Sequence, residues 1–169
     1  AAAWHPYPAS LRLVNLCHAA SSLGGFDALG PAAAGAAATH AAFVLAHQEH
    51  DVRGNHLFEN ARALVHTARW LDGDLAARCG AAARAILRDE IPEQVPADGV
   101  HFELSPLYHT IVLHGLLQIV ELLGRDDASD DDARLLRDVL APAVARTRTP
   151  LSLLLCPDDD LPLLGDALG

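Results

Sequence analysis

Hydrophobic residues recur along most of the chain at the three- and four-residue spacings of an α-helix. The clearest case lies between positions 55 and 71, where the spacings are four, three, four and three: Leu57, Ala61, Leu64, Ala68 and Leu71. Residues spaced in this way share one face of a helix and form an apolar stripe. The strict alternation of a half-buried β-strand does not persist anywhere in the sequence. The pattern therefore predicts an all-α fold.

Glycine, proline and capping residues divide the chain into six predicted helices. These span about 8–23, 39–49, 55–71, 75–90, 106–123 and 131–146. Thr39 is expected to cap the second helix, and Ser105 and Pro106 are expected to take the N-cap and first positions of the fifth. The Gly- and Ala-rich run up to Gly35 is expected to be a connection, and the segment 91–105 is expected to be irregular.

The composition limits the kinds of partner that the chain is expected to have. Its 169 residues include 12 basic and 22 acidic side chains, for a formal net charge of −10, and 51% of them are hydrophobic. Nucleic acid is not expected as a partner, because binding to its backbone needs a basic surface. No stretch reaches the roughly 18 uninterrupted apolar residues of a membrane span, so no span is expected. We predict a single globular domain over residues 1–169.

The sequence also predicts that this chain is a piece of a longer protein. It contains no Met, not even an initiator, and Ala1 is not followed by the charged and then apolar segments of a secretion signal. Part of the function is therefore expected to reside in residues beyond the two ends.

Neither the histidines nor the cysteines predict a metal site, and no cofactor is expected. The closest of the ten histidines to a metal motif are His47 and His50, which lack a third ligand at a recognised spacing. Cys17, Cys79 and Cys156 are odd in number and far apart, so we predict small buried side chains rather than a disulfide framework or paired thiols.

The most informative polar residues stand at the starts of two predicted helices. Asn55 and His56 begin the third helix, and Tyr108 and His109 lie in the first turn of the fifth. Because the third helix runs away from Asn55 and the fourth returns, the segment 91–105 is expected at the same end as Asn55. Both helix N-termini would then face one rim, where their positive dipole ends favour an anion.

Each of these signals also has a plainer interpretation. Asn55 is a common N-cap residue, His56 is compatible with a surface position, and a tyrosine in a first turn is often a packing residue with a wet hydroxyl. If His56 is functional, Glu59 stands one turn later and is a candidate to fix the tautomer of its imidazole.

Three runs of residues resemble the heparinase II/III family of polysaccharide lyases. The runs are Trp4-His5-Pro6-Tyr7-Pro8-Ala9-Ser10-Leu11-Arg12 with Asn15; Gly54-Asn55-His56-Leu57 with Asn60 and Ala63-Leu64; and Ile91-Pro92-Glu93-Gln94-Val95, Asp98-Gly99, His101-Phe102-Glu103, Ser105-Pro106 and Tyr108-His109. Their order and spacing agree with the family as well. The resemblance implies an incomplete (α/α) toroid built of antiparallel helical hairpins, truncated at both ends, with the family's β-sandwich domain missing.

The resemblance further implies β-elimination on a uronic-acid-containing polysaccharide. Asn55 and His56 would bind and neutralise the uronic carboxylate, and Tyr108 would act at the scissile bond, as an acid or as both base and acid. Other residues of the matching runs are expected to contact the substrate: Arg12, Glu59, Asn60, His101 and His109. The expected partners are the acidic polysaccharide and the missing β-sandwich; the sequence does not choose among heparan-like, alginate-like and bacterial exopolysaccharide substrates. Periplasmic or secreted localisation is suggested by the resemblance alone.

Two features set limits on this interpretation. The family often has Arg where this chain has Leu104, and it takes a further catalytic His from regions that this chain lacks, so the isolated chain is expected to be nearly inactive. The net charge of −10 opposes a polyanion, but helix ends and a local group of cations are expected to offset it. These cations are Arg12, His56, His101 and His109.

Two other functions remain open on the sequence. One is a non-catalytic helical module that retains a carbohydrate-binding groove. The other is a glycoside hydrolase on an (α/α) barrel, which needs two facing carboxylates, with Glu59 and Glu103 as candidates.

Overall fold

The protein is all-helical in the part of the chain that the structure describes, which comprises residues 4–156, 158, 161 and 162 of a computed structural model. Helices account for 76% of the structure, and the described residues contain no strand. The α-helices are α1 (Pro6–Leu23), α2 (Ala33–Ala46), α3 (Gly54–Trp70), α4 (Gly73–Gln94), α5 (Pro106–Leu123), α6 (Asp130–Leu135) and α7 (Ala141–Leu154). A 3-10 turn, Phe26–Leu29, follows α1, and a π-helical turn, Leu136–Leu140, joins α6 to α7. The prediction of an all-α fold is confirmed.

The chain forms two compact units, Ala1–Leu87 and Arg88–Gly169. In the first unit, α3 packs against α1 and α2 and forms the centre of the core. Leu57, Phe58 and Leu64 of α3 are at most 1% exposed. An apolar helix covered by neighbours on several sides is typical of a core element rather than a surface element.

The second unit is built around α5. This helix packs against α7 and against the π-helical turn, and Leu116, Ile119 and Leu140 are fully buried. By length and composition α5 would also pass as a membrane span, but 44% of it is buried and core helices pass the same test, so this is weak evidence for a span.

The second and fourth helices differ from their predicted bounds. Helix α2 begins at Ala33, and Thr39 lies inside it, where its hydroxyl donates to the Gly35 carbonyl instead of capping an N-terminus. The high helix propensity of the Ala-rich run outweighs the single Gly35. Helix α4 continues through Pro92 to Gln94, because Ile91 and Gln94 are buried and fix the last turn despite the missing proline N–H.

The last predicted helix is longer than expected and is not uniform. The helical segment runs from Asp130 to Leu154 and widens into a π-helical turn just before Pro142. A proline removes one backbone hydrogen bond and its ring crowds the preceding turn of an α-helix, so a widened turn relieves both problems.

Candidate functional site

His56 is a partly exposed position within the buried N-terminal stretch of α3, the central helix of the first unit. Every other residue from Gly54 to Thr67 is buried, whereas the His56 side chain is 35% exposed. Its neighbour Asn55 is only 7% exposed. Both residues lie in the first turn of α3, as predicted, where the positive end of the helix dipole favours an anion.

The His56 ring is held by a carboxylate and by two aromatic neighbours. Its Nδ1 lies 2.9 Å from Oε1 of Glu49, and the Tyr7 ring stacks on it with centroids 4.4 Å apart and planes at 28°. His5 approaches the same ring edge-on at 6.5 Å, and its Nδ1 lies 3.3 Å from the same Glu49 oxygen. Together with Asn60, these residues form what we term the Glu49 cluster: His5, Tyr7, Glu49, His56 and Asn60.

Glu59 does not fix the His56 tautomer, so that expectation is wrong. Its side chain is fully buried and bound to Arg62, whose Nη2 and Nε lie 2.6 and 2.9 Å from Oε2 of Glu59. Burial raises the pKa of Glu59, and the adjacent Arg62 guanidinium opposes that rise. The carboxylate that contacts His56 comes instead from Glu49, in the connection between α2 and α3.

Arg12 belongs to a neighbouring aromatic group in the first unit. Its Nε donates to Nε2 of His40 at 3.1 Å, and its guanidinium lies 6.0 Å from the centre of the Trp4 ring. Trp4 is half exposed and stacks on His40 with ring centroids 5.1 Å apart. Arg12 is partly exposed.

Tyr108 lies in the first turn of α5, in the second unit. Ser105 is the N-cap, its hydroxyl accepts from the Tyr108 N–H at 3.4 Å, and Pro106 takes the first helical position. The predicted start of this helix is therefore confirmed. Tyr108 is partly exposed.

The residues before both of these helices have unusual backbone conformations. Arg53, before α3, has φ 59°, and Leu104, before the N-cap of α5, has φ 56°. Among the described residues, these are the two non-glycine positions with positive φ. Such conformations cost about 1–3 kcal/mol each and cluster at functional sites. Both strained residues border the helix starts that carry Asn55, His56 and Tyr108.

His101 and His109 form a buried polar network that holds the segment before α5. The His101 N–H donates to Nδ1 of His109 at 3.3 Å, so Nε2 of His109 carries the proton and donates to the Thr147 carbonyl at 3.0 Å. Nε2 of His101 lies 3.4 Å from the side-chain Oε1 of Gln94. The backbone carbonyl of Gln94 accepts the backbone N–H of Phe102. The two histidines are at most 1% exposed, so they connect α4, the irregular segment, α5 and α7 rather than face solvent.

The expectation that these two histidines add positive charge is wrong. Burial, and then the nearby His109, lower the pKa of His101 to about 4, and burial also lowers the pKa of His109. Both imidazoles are therefore neutral at neutral pH. Of the expected local cations, Arg12 and His56 are the ones with exposed surface.

The sequence analysis missed three members of the Glu49 cluster. His5 and Tyr7 were visible in the first run that resembles the lyase family, and Glu49 stood beside the histidines considered as metal ligands. His5 and Tyr7 are far from His56 in sequence, and Glu49 precedes it by seven residues in a connection, so helical periodicity carries no signal for these contacts. Among the described residues, no group of three or more His, Cys, Asp and Glu side chains is arranged to hold a metal ion.

Comparison with known proteins agrees with the fold. Two crystal structures of heparan sulfate lyase HepC from Pedobacter heparinus, one of them of a mutant, superpose with TM-scores of 0.65 and 0.63 and sequence identities of 24% and 25%. Each match covers 96% of this chain but only 25% or 26% of the lyase chain, so this chain spans about a quarter of the length of HepC. None of the curated proteins matches in sequence.

The similarity to HepC confirms the predicted (α/α) toroid fold class. The family model described as Heparinase II/III N-terminus matches residues 33–168, which is well over half of the chain. The chain therefore belongs to the heparinase II/III family, in the region of that family's N-terminal helical domain.

Proposed function

We propose that this chain is the helical part of a longer polysaccharide lyase that cleaves a uronic-acid-containing polymer by β-elimination. In this reaction a base removes the proton from C5, a double bond forms between C4 and C5, and the C4–O glycosidic bond breaks. The leaving oxygen takes up a proton. Family membership supports the reaction class, and the partly exposed His56 within the otherwise buried stretch 54–67 of α3 is the single observation that carries the choice of site.

Asn55 and His56 are proposed to bind the carboxylate attached to C5. Removal of the C5 proton places extra negative charge on this carboxylate, so the reaction needs donors aimed at it before the charge develops. One preorganised donor of this kind contributes roughly 3–4 kcal/mol to lowering the barrier. A helix N-terminus adds the positive end of its dipole, and both residues lie in the first turn of α3.

Tyr108 is proposed to protonate the leaving glycosidic oxygen. A phenol with an ordinary pKa of about 10 is a good acid toward an alkoxide-like oxygen, and it is a poor base unless its pKa is depressed. A second role as the C5 base needs such a depression and is an alternative within the same proposal.

The remaining predicted contacts fall into two groups. Arg12 is partly exposed and is proposed to bind an anionic group of the polymer directly. The other four are at most 1% exposed and bonded to protein groups, so we propose that they support the site without touching the substrate: Glu59, Asn60, His101 and His109.

The test is a lyase assay on the longer protein that contains this chain. Wild type and the variants His56→Gln and Tyr108→Phe are incubated with heparan-like, alginate-like and other uronic-acid polysaccharides, and the ultraviolet absorbance of the new double bond is followed. Either substitution is expected to lower kcat at least about a hundredfold. His114→Gln, on the exposed face of α5, is the matched control and keeps its activity.

Either of two results would contradict the proposal. One is the absence of an unsaturated product with every polymer, which would favour a binding module if the same polymers still bind. The other is full activity in both variants, which would place the chemistry elsewhere in the protein.

A further inference from the structure

Glu49 is a buried carboxylate, and each of its two oxygens lies close to a nitrogen atom of a neighbouring side chain. Only 4% of the residue is exposed, although it lies outside any helix. Oε1 lies 2.9 Å from Nδ1 of His56 and 3.3 Å from Nδ1 of His5, and Oε2 lies 2.9 Å from Nδ2 of Asn60. An ionised carboxylate only accepts hydrogen bonds, so Nδ1 of His56 and Nδ2 of Asn60 donate, while His5 lies within ion-pair distance.

Asn60 fixes Glu49 from two sides. Its Oδ1 accepts the backbone N–H of Glu49 at 2.9 Å, while its Nδ2 donates to Glu49 Oε2 and also lies 3.2 Å from the Ser10 hydroxyl. Asn60 and Ser10 are both fully buried. The carboxylate therefore has a defined position relative to α1 and α3 and does not need to be ordered when a ligand binds.

The hydrogen bond to Glu49 determines which nitrogen His56 presents to the surroundings. With its proton on Nδ1, a neutral imidazole has a lone pair on Nε2, at the other side of the ring. The stacked Tyr7 ring defines the plane of the imidazole, and the 35% exposure of the side chain leaves one part of it open. Position, plane and tautomer of His56 are thus all set by protein groups.

We infer that Glu49 is a positioning residue, which keeps the proton of the neutral His56 ring on Nδ1 and so leaves Nε2, once it is protonated as well, to donate to the substrate carboxylate. When Nε2 also takes up a proton and faces a sugar carboxylate, Glu49 supplies the opposite charge behind the ring. Residues that orient a functional histidine in this way generally affect activity about ten- to hundredfold, as seen for carboxylates behind metal-bound histidines. The effect of Glu49 on catalysis rests on the proposed function. Its effect on the tautomer of His56 does not depend on that function.

The first test measures the tautomer directly and needs no substrate. Nitrogen-15 spectra of the histidines in this chain, with His56 assigned through the His56→Gln variant, are recorded at a pH where the ring is neutral. Wild type is expected to show the Nδ1–H form. Observation of the Nε2–H form in wild type would overturn the inference, and this result does not depend on any Glu49 variant being folded.

The second test uses Glu49→Gln, which preserves size but offers one acceptor oxygen instead of two. If the amide oxygen stays with Asn60, the amide NH2 faces Nδ1 of His56, so His56 is expected to shift toward the Nε2–H form. An unchanged tautomer in a folded Glu49→Gln variant would overturn the inference. Glu93→Gln, an exposed glutamate near the end of α4, is the matched control.

Activity of the longer protein then separates this inference from the proposed function. Glu49→Gln is expected to lower kcat about ten- to hundredfold with a smaller change in KM, and Glu93→Gln is expected to change neither. If Glu49→Gln shifts the tautomer of His56 but the longer protein has no lyase activity toward any polymer, the proposed function is contradicted and the positioning role of Glu49 stands. An unchanged kcat in Glu49→Gln would contradict the claim that this positioning role matters for catalysis.

Discussion

Acidification is expected to loosen the second unit at His101 before it unfolds the rest. At neutral pH the Nε2–H of this fully buried imidazole faces Gln94, and Nδ1 has no hydrogen-bond partner among the described residues. A bare lone pair on Nδ1 is tolerated, but protonation would create a buried N–H without an acceptor, close to His109. Burial and His109 accordingly lower the pKa of His101 to about 4.

The size and sign of the effect follow from this pKa. Between the ordinary value of 6.5 and the folded value of about 4, the unfolded chain binds a proton that the folded chain excludes. The contribution of His101 to the free energy of unfolding is therefore complete above pH 6.5 and is lost as the pH falls toward 4. At 1.36 kcal/mol per pH unit, the loss amounts to about 3 kcal/mol.

The assay is denaturant unfolding of wild type and His101→Gln across this pH range, with His114→Gln as the control for replacing an exposed histidine. The loss of stability in acid is expected to be about 3 kcal/mol smaller in His101→Gln than in wild type and in the control, while the part due to His109 remains. Hydrogen exchange of the Phe102 amide, which donates to the Gln94 carbonyl, should accelerate over the same range. An equal loss of stability in His101→Gln would refute the reasoning.

Two further predictions concern stability. Gly99→Ala is expected to lower the free energy of thermal unfolding by about 1–3 kcal/mol more than Gly73→Ala. Both glycines have φ near 80°, but only at Gly99 would the new Cβ lie 2.3 Å from a carbonyl oxygen, that of Arg146. Equal losses in the two variants would contradict the predicted clash. Arg62→Met is expected to lower the free energy of unfolding by about 3–5 kcal/mol at neutral pH, because it leaves the Glu59 carboxylate buried without its cation. The loss is expected to be smaller in acid, since Glu59 then takes up a proton. A loss that does not depend on pH would contradict this explanation.

The helices that could be predicted are those with a strong local signal. For α3 the apolar stripe was enough to predict the helix and its buried face, since Leu57, Ala61 and Leu64 are all buried. For α5 the Ser105-Pro106 pair marked the start of the helix. The Ala-rich α2 offered no such contrast between faces, so its start at Ala33 was missed.

The site was only partly predictable, because its decisive contacts do not follow helical spacing. The sequence identified His56 at a helix start, but it assigned the orienting carboxylate to Glu59, the one at helical spacing. In the fold, Glu59 is paired with Arg62 three residues later, while Glu49 reaches His56 from the preceding connection. The burial of His101 likewise depends on packing across the second unit, which a local pattern does not encode.

The most direct test of the central claim is the composition of the products formed in oxygen-18-labelled water. The longer protein is incubated with a uronic-acid polysaccharide that it degrades, and the products are analysed by mass spectrometry. Elimination predicts products with a C4=C5 double bond and no oxygen-18 at the cleaved bond, and their loss in Tyr108→Phe. Saturated products that carry oxygen-18 from the solvent would identify a hydrolase and contradict the account.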